Sequence, residues 1–331
     1  MYTKISHVHI NNFKSIKNVI LNDCRRINLF IGKPNVGKSN LLEAMSLFCL
    51  PYLKFAKKRS IQQFIRVESD AELFFDGHIE KPIRIETDVV NAEIHLDSMG
   101  LSFLLNYKDH TDAESSLSFS NMFLSGKKNI EISAANPFRS YFYPNSFEKE
   151  KLPLNYLLPP NGSNLMNIVT LLPDLKRELT AIFKDYDLKY VFDTNSQEIK
   201  VLKEKNPGEI FLIPFHSIAD SLQRMIFYKA AIESNDNAVL IFEEPEAHSY
   251  PPFISKITQS IIDSENNQFF ITTHSPYVVN DLLELPGNDL AIYLVDFRNG
   301  ETIVKRAAES ELQEMYEFGA DLFFNTETFL K

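Results

Sequence analysis

The segment Gly32-Lys33-Pro34-Asn35-Val36-Gly37-Lys38-Ser39 sets two glycines, a lysine and a hydroxyl at the spacing of a phosphate-binding loop. The glycines allow backbone N–H groups to close around phosphate oxygens, and a helix starting there adds positive potential. Lys38 is expected to reach the outer phosphates and the Ser39 hydroxyl to ligate Mg²⁺, so Gly32 to Asn40 form the expected nucleotide-binding stretch. A second constellation is Val239-Leu240-Ile241-Phe242-Glu243-Glu244-Pro245-Glu246. A hydrophobic strand ending in adjacent carboxylates puts one acid on the metal and the next beside the terminal phosphate. Glu243 is the expected water-bridged Mg²⁺ acid and Glu244 the general base. The third is Thr272-Thr273-His274-Ser275-Pro276, where a neutral His274 at a strand end can hydrogen-bond the terminal phosphate.

The elements that must position these groups read as alternating strand and helix. A buried strand spans 26–31, and a helix of apolar spacing runs from Lys38 to Leu50 before Pro51. Later come a helix over 217–233, a buried strand over 238–243, a helix opened by Pro251 and Pro252, and a strand over 268–272. Strand–helix–strand alternation implies a parallel sheet. Ahead of the loop, 4–10 and 16–21 read as strands around a turn, and 71–105 as an antiparallel meander that includes 71–75 as a strand. The polar stretch 106–165 reads as an irregular lid or insertion. It is followed by a helix over 173–186 and a strand pair around 189–202. The tail reads as a strand over 290–297, a turn at Arg298-Asn299-Gly300, a returning strand and a helix capped by Ser310 with Gln313.

The 331 residues carry 34 Lys+Arg against 44 Asp+Glu, a net charge of −10, which argues against coating nucleic acid by bulk charge. No apolar run spans a bilayer, the start lacks the apolar region of a secretory leader, and Cys24 and Cys49 have no metal or disulfide spacing. A reduced cytoplasmic home without membrane attachment is expected.

Together the three motifs resemble the ATP-binding-cassette ATPase heads of the RecF, SMC and OLD-like branch, in the same order along the chain. Asn11 to Asn18 (Asn-Asn-Phe-Lys-Ser-Ile-Lys-Asn) is similar to the opening of those heads, and the Glu243 to His248 form points to the OLD-like group. The resemblance covers roughly 1–50 and 210–280. It implies an α/β, two-lobed head: a parallel core sheet plus an antiparallel N-terminal lobe, with the insertion. The division expected is 1–105 (phosphate loop and antiparallel lobe), 106–205 (insertion and helical lid) and 206–331 (signature-like helix, acid strand and His274).

What the resemblance further implies is a cycle of ATP·Mg²⁺ binding and hydrolysis in which two heads close over the nucleotide, giving a homodimer or larger oligomer. The partner's signature would then present Ser217 or Ser221, although Asp220 stands where that signature carries glycine. Gln62 and Gln63 are both candidates for the family's Mg²⁺-ligating glutamine. There is no heptad run for SMC arms. The stretch 275–331 lacks a clustered acidic metal site and is too short for the nuclease domain of OLD-type proteins. A separate effector is therefore expected, in phage defence or DNA repair. The alternative is a nucleotide-sensing scaffold that binds ATP with little or no hydrolysis. Lys54, Lys57, Lys58 and Arg59, with Lys14 and Lys17, form a candidate nucleic-acid patch. Tyr141-Phe142-Tyr143 reads as core packing rather than a base-stacking platform.

Overall fold

Strands that alternate apolar and polar must cover one face and wet the other, whereas strands apolar throughout must be covered on both. Both kinds are present in a computed structural model that describes residues 4–108, 114–125, 130–144, 147, 152, 154–193, 196, 198–206, 208–285 and 288–318. In chain order the elements are β1 (Val8–Phe13), β2 (Ile16–Leu21), β3 (Ile27–Ile31), α1 (Lys38–Ser46), β4 (Ile83–Thr87), β5 (Val90–Asp97), β6 (Gly100–Tyr107), β7 (Glu114–Ser120), β8 (Phe123–Leu124) and β9 (Phe138–Tyr141). Then follow α2 (Leu165–Leu171), α3 (Pro173–Lys184), β10 (Lys189–Asp193), β11 (Glu198–Asn206), β12 (Glu209–Pro214), α4 (Asp220–Ser234), β13 (Val239–Glu243), α5 (Pro251–Asp263), β14 (Gln268–Thr272), α6 (Pro276–Leu283), β15 (Leu290–Arg298), β16 (Glu301–Arg306) and α7 (Glu309–Phe318).

The chain divides into two compact units. The first, 1–140 with 237–244 and 265–331, holds two sheets. One is antiparallel, ordered β2-β1-β4-β5-β6-β7-β8, and its strands β1, β4 and β5 alternate buried and wetter residues. The other is ordered β16-β15-β3-β14-β13-β9, with β13, β14, β3 and β15 mutually parallel and β16 returning antiparallel. Its strands β3 and β14 are buried along their whole length, as central parallel strands must be. The second unit, 141–236 with 245–264, holds α2 to α5 and the antiparallel sheet β10-β11-β12. Its apolar core is built on aromatic edge-to-face pairs, with Phe227 against Tyr141 at 6.2 Å, Tyr143 at 5.6 Å and Tyr228 at 5.2 Å.

Lys229 of α4 also lies in that second core, its ammonium 2.7 Å from Ser260 Oγ, 3.1 Å from Glu178 and 3.2 Å from Glu233. Burial holds the Glu233 carboxyl above its ordinary value. Burial would do the same to Glu178, but hydrogen bonds from Lys256 and Lys229 outweigh it and hold that carboxyl below its usual range. Replacing Lys229 by Met should therefore destabilise the chain by about 2–3 kcal/mol, because two partly buried carboxylates lose a shared cation. The midpoint of urea unfolding reads this directly; an unchanged midpoint would show the cluster to be energetically neutral.

Several local expectations are corrected. The helix begun at Lys38 ends at Ser46 and continues as 3-10 turns over Leu47–Phe55, with Pro51 inside. Residues 71–75 are not a strand: a 3-10 turn spans Asp70–Leu73, because two acids in its first turn suit a helical start. The polar stretch after 106 is less irregular than expected, since β7 extends the antiparallel sheet beside β6 and β9 joins the mixed sheet. Part of it, including 109–113, 126–129 and 148–151, lies outside the described residues. Ser310 does not cap the last helix; it lies inside α7, and the Glu311 carboxylate accepts from the Ala308 N–H instead. Among the described residues no helix is long and apolar enough to cross a membrane.

Candidate nucleotide site

Parallel pairing fixes which residues meet at one sheet edge. Glu243 lies opposite Thr272, and Thr272 opposite Phe30, so the ends of β13, β14 and β3 are level. The residues that follow them, Glu244, Thr273-His274 and the loop from Gly32, therefore emerge at the carboxyl edge, where open parallel sheets bind ligands.

The loop's conformation depends on its glycines. A Cβ on Gly32 would stand 2.2 Å from the Val295 carbonyl oxygen of β15. Gly37 has φ +97°, and a Cβ there would stand 2.1 Å from Thr302 Oγ1. Between them Lys33, Pro34 and Asn35 form an exposed rim, while Val36 is buried as the anchor. Helix α1 begins directly after Gly37 with no side-chain cap, which leaves its first N–H groups facing the loop. Lys38 is 5% exposed, and its ammonium folds back to donate to Gly32 O at 2.9 Å and Lys33 O at 2.7 Å. Burial lowers its pKa below the ordinary lysine value; the charges of Glu244 and then Glu243 oppose that.

Ser39 Oγ donates to Glu243 Oε1. Glu244 has φ +43°, a left-handed conformation uncommon for a side chain of its size, and its N–H donates to Thr272 O at 3.0 Å and Thr272 Oγ1 at 3.2 Å. Held this way, its carboxylate comes 3.3 Å from His274 Nε2, with both side chains partly open to solvent. The pKa of His274 lies below the ordinary histidine value, first through burial and then through the Lys38 charge, with Glu244 opposing. Lys38, Ser39, Glu243, Glu244 and His274 are thus brought together in the first unit.

Two charged residues beside this edge, Glu43 and Arg66, escaped sequence reasoning, and a third, Lys14, was expected in the basic patch instead. Glu43, 2% exposed on α1, accepts from Arg66 Nε at 2.9 Å and pairs with the Lys14 ammonium. The Arg66 guanidinium also reaches Glu243 Oε1, so Glu43 and Glu243 share one cation. A buried acid in the apolar run Leu41-Leu42-Glu43-Ala44-Met45 was the available signal. Lys14 is consequently turned inward, donating also to Arg66 O at 2.6 Å, and is not part of an open basic patch.

The other residues singled out from the sequence have the following places. The Asn40 amide donates to Ser15 Oγ at 2.7 Å rather than pointing along the loop. The Gln62 and Gln63 amides donate to Val67 O and Lys58 O. Ser217, exposed at the end of a 3-10 turn, and Ser221, in the first turn of α4, belong to the second unit. Asp220 does not cap α4; its carboxylate accepts from Arg224 Nε at 2.8 Å, and that guanidinium stacks on Tyr143 at 4.2 Å. Tyr141 is fully buried, with its hydroxyl on Leu157 O at 2.6 Å, as core packing requires.

Chemically, the edge offers an uncapped helix start, a buried ammonium held by two loop carbonyls, and a hydroxyl–carboxylate pair suited to a hard cation that keeps other oxygen ligands. Beyond these stands a carboxylate paired with a weakly basic imidazole. A family model described as "AAA domain, putative AbiEii toxin, Type IV TA system" matches residues 27–280. The chain is 31% identical over 113 residues to the DNA replication and repair protein RecF of Geotalea uraniireducens, 34% of this chain and 29% of that protein. It is 33% identical over 79 residues to an uncharacterised protein of Methanocaldococcus jannaschii, 24% of this chain and 33% of that one. It therefore spans about a third of the length of the curated relatives it matches. A Smc head domain with an extended coiled coil, solved with the C-terminal domain of ScpA from Pyrococcus furiosus, shares the fold at TM-score 0.50 and 13% identity, covering 95% of this chain and 98% of that one.

Proposed function

The chain belongs to the AAA-domain family matched over 27–280, and from that premise we propose an ATP-hydrolysing switch, an ABC-type head of the RecF/SMC kind that gates a separate effector. The observation that carries it is the Glu244–His274 pair, 3.3 Å apart, one residue beyond the Ser39–Glu243 contact. The residues present suit ATP·Mg²⁺: Gly37 leaves no room for a side chain behind the loop, Ser39 supplies a hydroxyl donor for Mg²⁺, and Glu243 beside it is placed to hold the cation through water. When bound, ATP·Mg²⁺ supplies the anhydride to be cut and the cation that neutralises charge developing on it.

The chain's own groups have separable tasks in this reading. The backbone N–H groups of 32–40, of which Pro34 has none, bind phosphate oxygens, and Lys38 exchanges its carbonyl partners for a phosphate. Ser39 and Glu243 hold the cation. Glu244 accepts a proton from water at its carboxylate, and the neutral imidazole of His274 orients that water or the terminal phosphate. Closure by a second head would present Ser217 or Ser221 across the nucleotide. The Asp220 charge need not repel the triphosphate there, because Arg224 neutralises it within the same turn. The product is a change of assembly, and we place it in defence or DNA repair, with an effector such as a nuclease carried by another chain.

Light scattering of Glu244→Gln with and without ATP·Mg²⁺ tests this reading. The substitution keeps binding and slows hydrolysis, so the mass should double on adding nucleotide. A constant mass with ATP demonstrably bound would favour the scaffold reading, for which an acid at the position of the signature glycine is the motivating observation.

A further inference from the structure

Thr302 lies on β16, far along the chain from the phosphate loop, and is 1% exposed. Its hydroxyl donates to the Val36 carbonyl at 3.0 Å and is 2.7 Å from Ser15 Oγ. The Asn40 amide donates to that same Ser15 oxygen at 2.7 Å, and the Thr302 N–H donates to Ser15 O at 2.8 Å. A hydroxyl has one proton to give. Thr302 spends its proton on Val36, so Ser15 must donate to Thr302, and Asn40 to Ser15. The chain of donors therefore has one direction: Asn40 amide, Ser15 hydroxyl, Thr302 hydroxyl, Val36 carbonyl. It starts on the first turn of α1 and ends inside the loop, passing through the β1–β2 turn and the C-terminal hairpin.

The peptide joining Val36 to Gly37 is planar and trans, so its C=O and N–H point in opposite directions. Holding the Val36 carbonyl against Thr302 therefore aims the Gly37 N–H away from Thr302. Gly37 cannot resist being placed this way, and its φ of +97° shows how far the backbone is turned. The fit is tight, because any Cβ on Gly37 would fall 2.1 Å from Thr302 Oγ1 and 2.8 Å from Ser15 Oγ.

We propose that Thr302 is a positioning residue for phosphate binding, with Ser15 and Asn40 supporting it. It fixes the direction of the Gly37 N–H, so that this donor is already aimed before nucleotide arrives and no ordering cost falls on binding. This rests on the phosphate-loop reading, and it gives the C-terminal hairpin a part in the site that no motif marks.

Calorimetric titration of the full chain with ADP and with ATP in Mg²⁺ tests it, alongside thermal melting without nucleotide. Thr302→Val keeps the shape and removes the hydroxyl, and should weaken both nucleotides by about tenfold. Thr302→Ser should restore affinity to within about threefold of wild type. Thr258→Val, which removes a buried hydroxyl bonded to Ile254 O on α5 in the second unit, should lower the melting temperature and leave affinity alone. Wild-type affinity in Thr302→Val overturns the positioning role. Should that variant not fold, Ser15→Ala keeps the Thr302–Val36 bond but removes its support, and should cost about threefold in ADP affinity; no loss there overturns the role equally. A wild-type chain that binds neither nucleotide overturns the phosphate-loop reading itself, and this inference with it.

Discussion

Lys38→Met is expected to weaken ATP binding by about a hundredfold while leaving the nucleotide-free fold intact. The ammonium is buried and already held by two loop carbonyls, at 2.9 and 2.7 Å. Charge-assisted bonds to phosphate are each worth about 1.5–3 kcal/mol, and a factor of a hundred needs about 2.7 kcal/mol, so loss of this one group suffices. Stability should follow a different course. The depressed pKa of Lys38 means burial already penalises its charge, and methionine removes that penalty along with the two carbonyl bonds. The two nearly cancel, so the melting temperature without nucleotide should change little. Fluorescent-nucleotide titration together with differential scanning calorimetry separates the effects. Wild-type affinity would refute the assignment of Lys38, whereas a collapsed melting temperature would mean the lysine serves the fold.

The parts of this site legible in sequence are those built by contiguous residues. A phosphate loop is one turn between a strand and a helix, so its glycines, Lys38 and Ser39 carry their whole geometry in local spacing. The acids Glu243 and Glu244 and the histidine His274 follow buried strands directly, and parallel pairing then levels the strand ends. What spacing cannot give is which distant groups a side chain will meet. Lys14 reads as a surface cation by composition, yet Glu43 draws it inward; Arg66 lies beyond α1 and reaches Glu243. Thr302 is one threonine among ordinary strand residues until β16 folds beside the β1–β2 turn and brings it to the Val36 carbonyl. The same distinction explains the misread elements. The stretch 71–75 has strand-like composition, but two acids favour a helical turn, and the edge on which β7 pairs exists only once β6 is in place.

The Glu244–His274 pair leads to the second large effect, one whose sign is fixed by the surrounding charges. Glu244→Gln should lower ATP turnover by about 10²–10⁴-fold, the usual worth of a positioned base, with binding retained. His274 lies below the ordinary histidine pKa, so it is neutral at pH 7, and turnover should fall on the acid side of that ordinary value as the imidazole gains a proton. The linkage to stability runs the same way. The unfolded chain takes up a proton before the folded one does, so the contribution of His274 is fully present above the unfolded value and is lost as pH falls through the folded one. Two charges set the folded value in opposite directions: Lys38 pushes it down and Glu244 pulls it up. Proton NMR of the His274 ring should therefore show a lower midpoint in Glu244→Gln than in wild type, and a higher one in Lys38→Met. Midpoints unchanged in both variants, or shifts of the reverse sign, would mean that the imidazole does not share the field of these two groups. In that case His274 would have no electrostatic link to the phosphate loop, and the proposed division of labour between base and imidazole would fail.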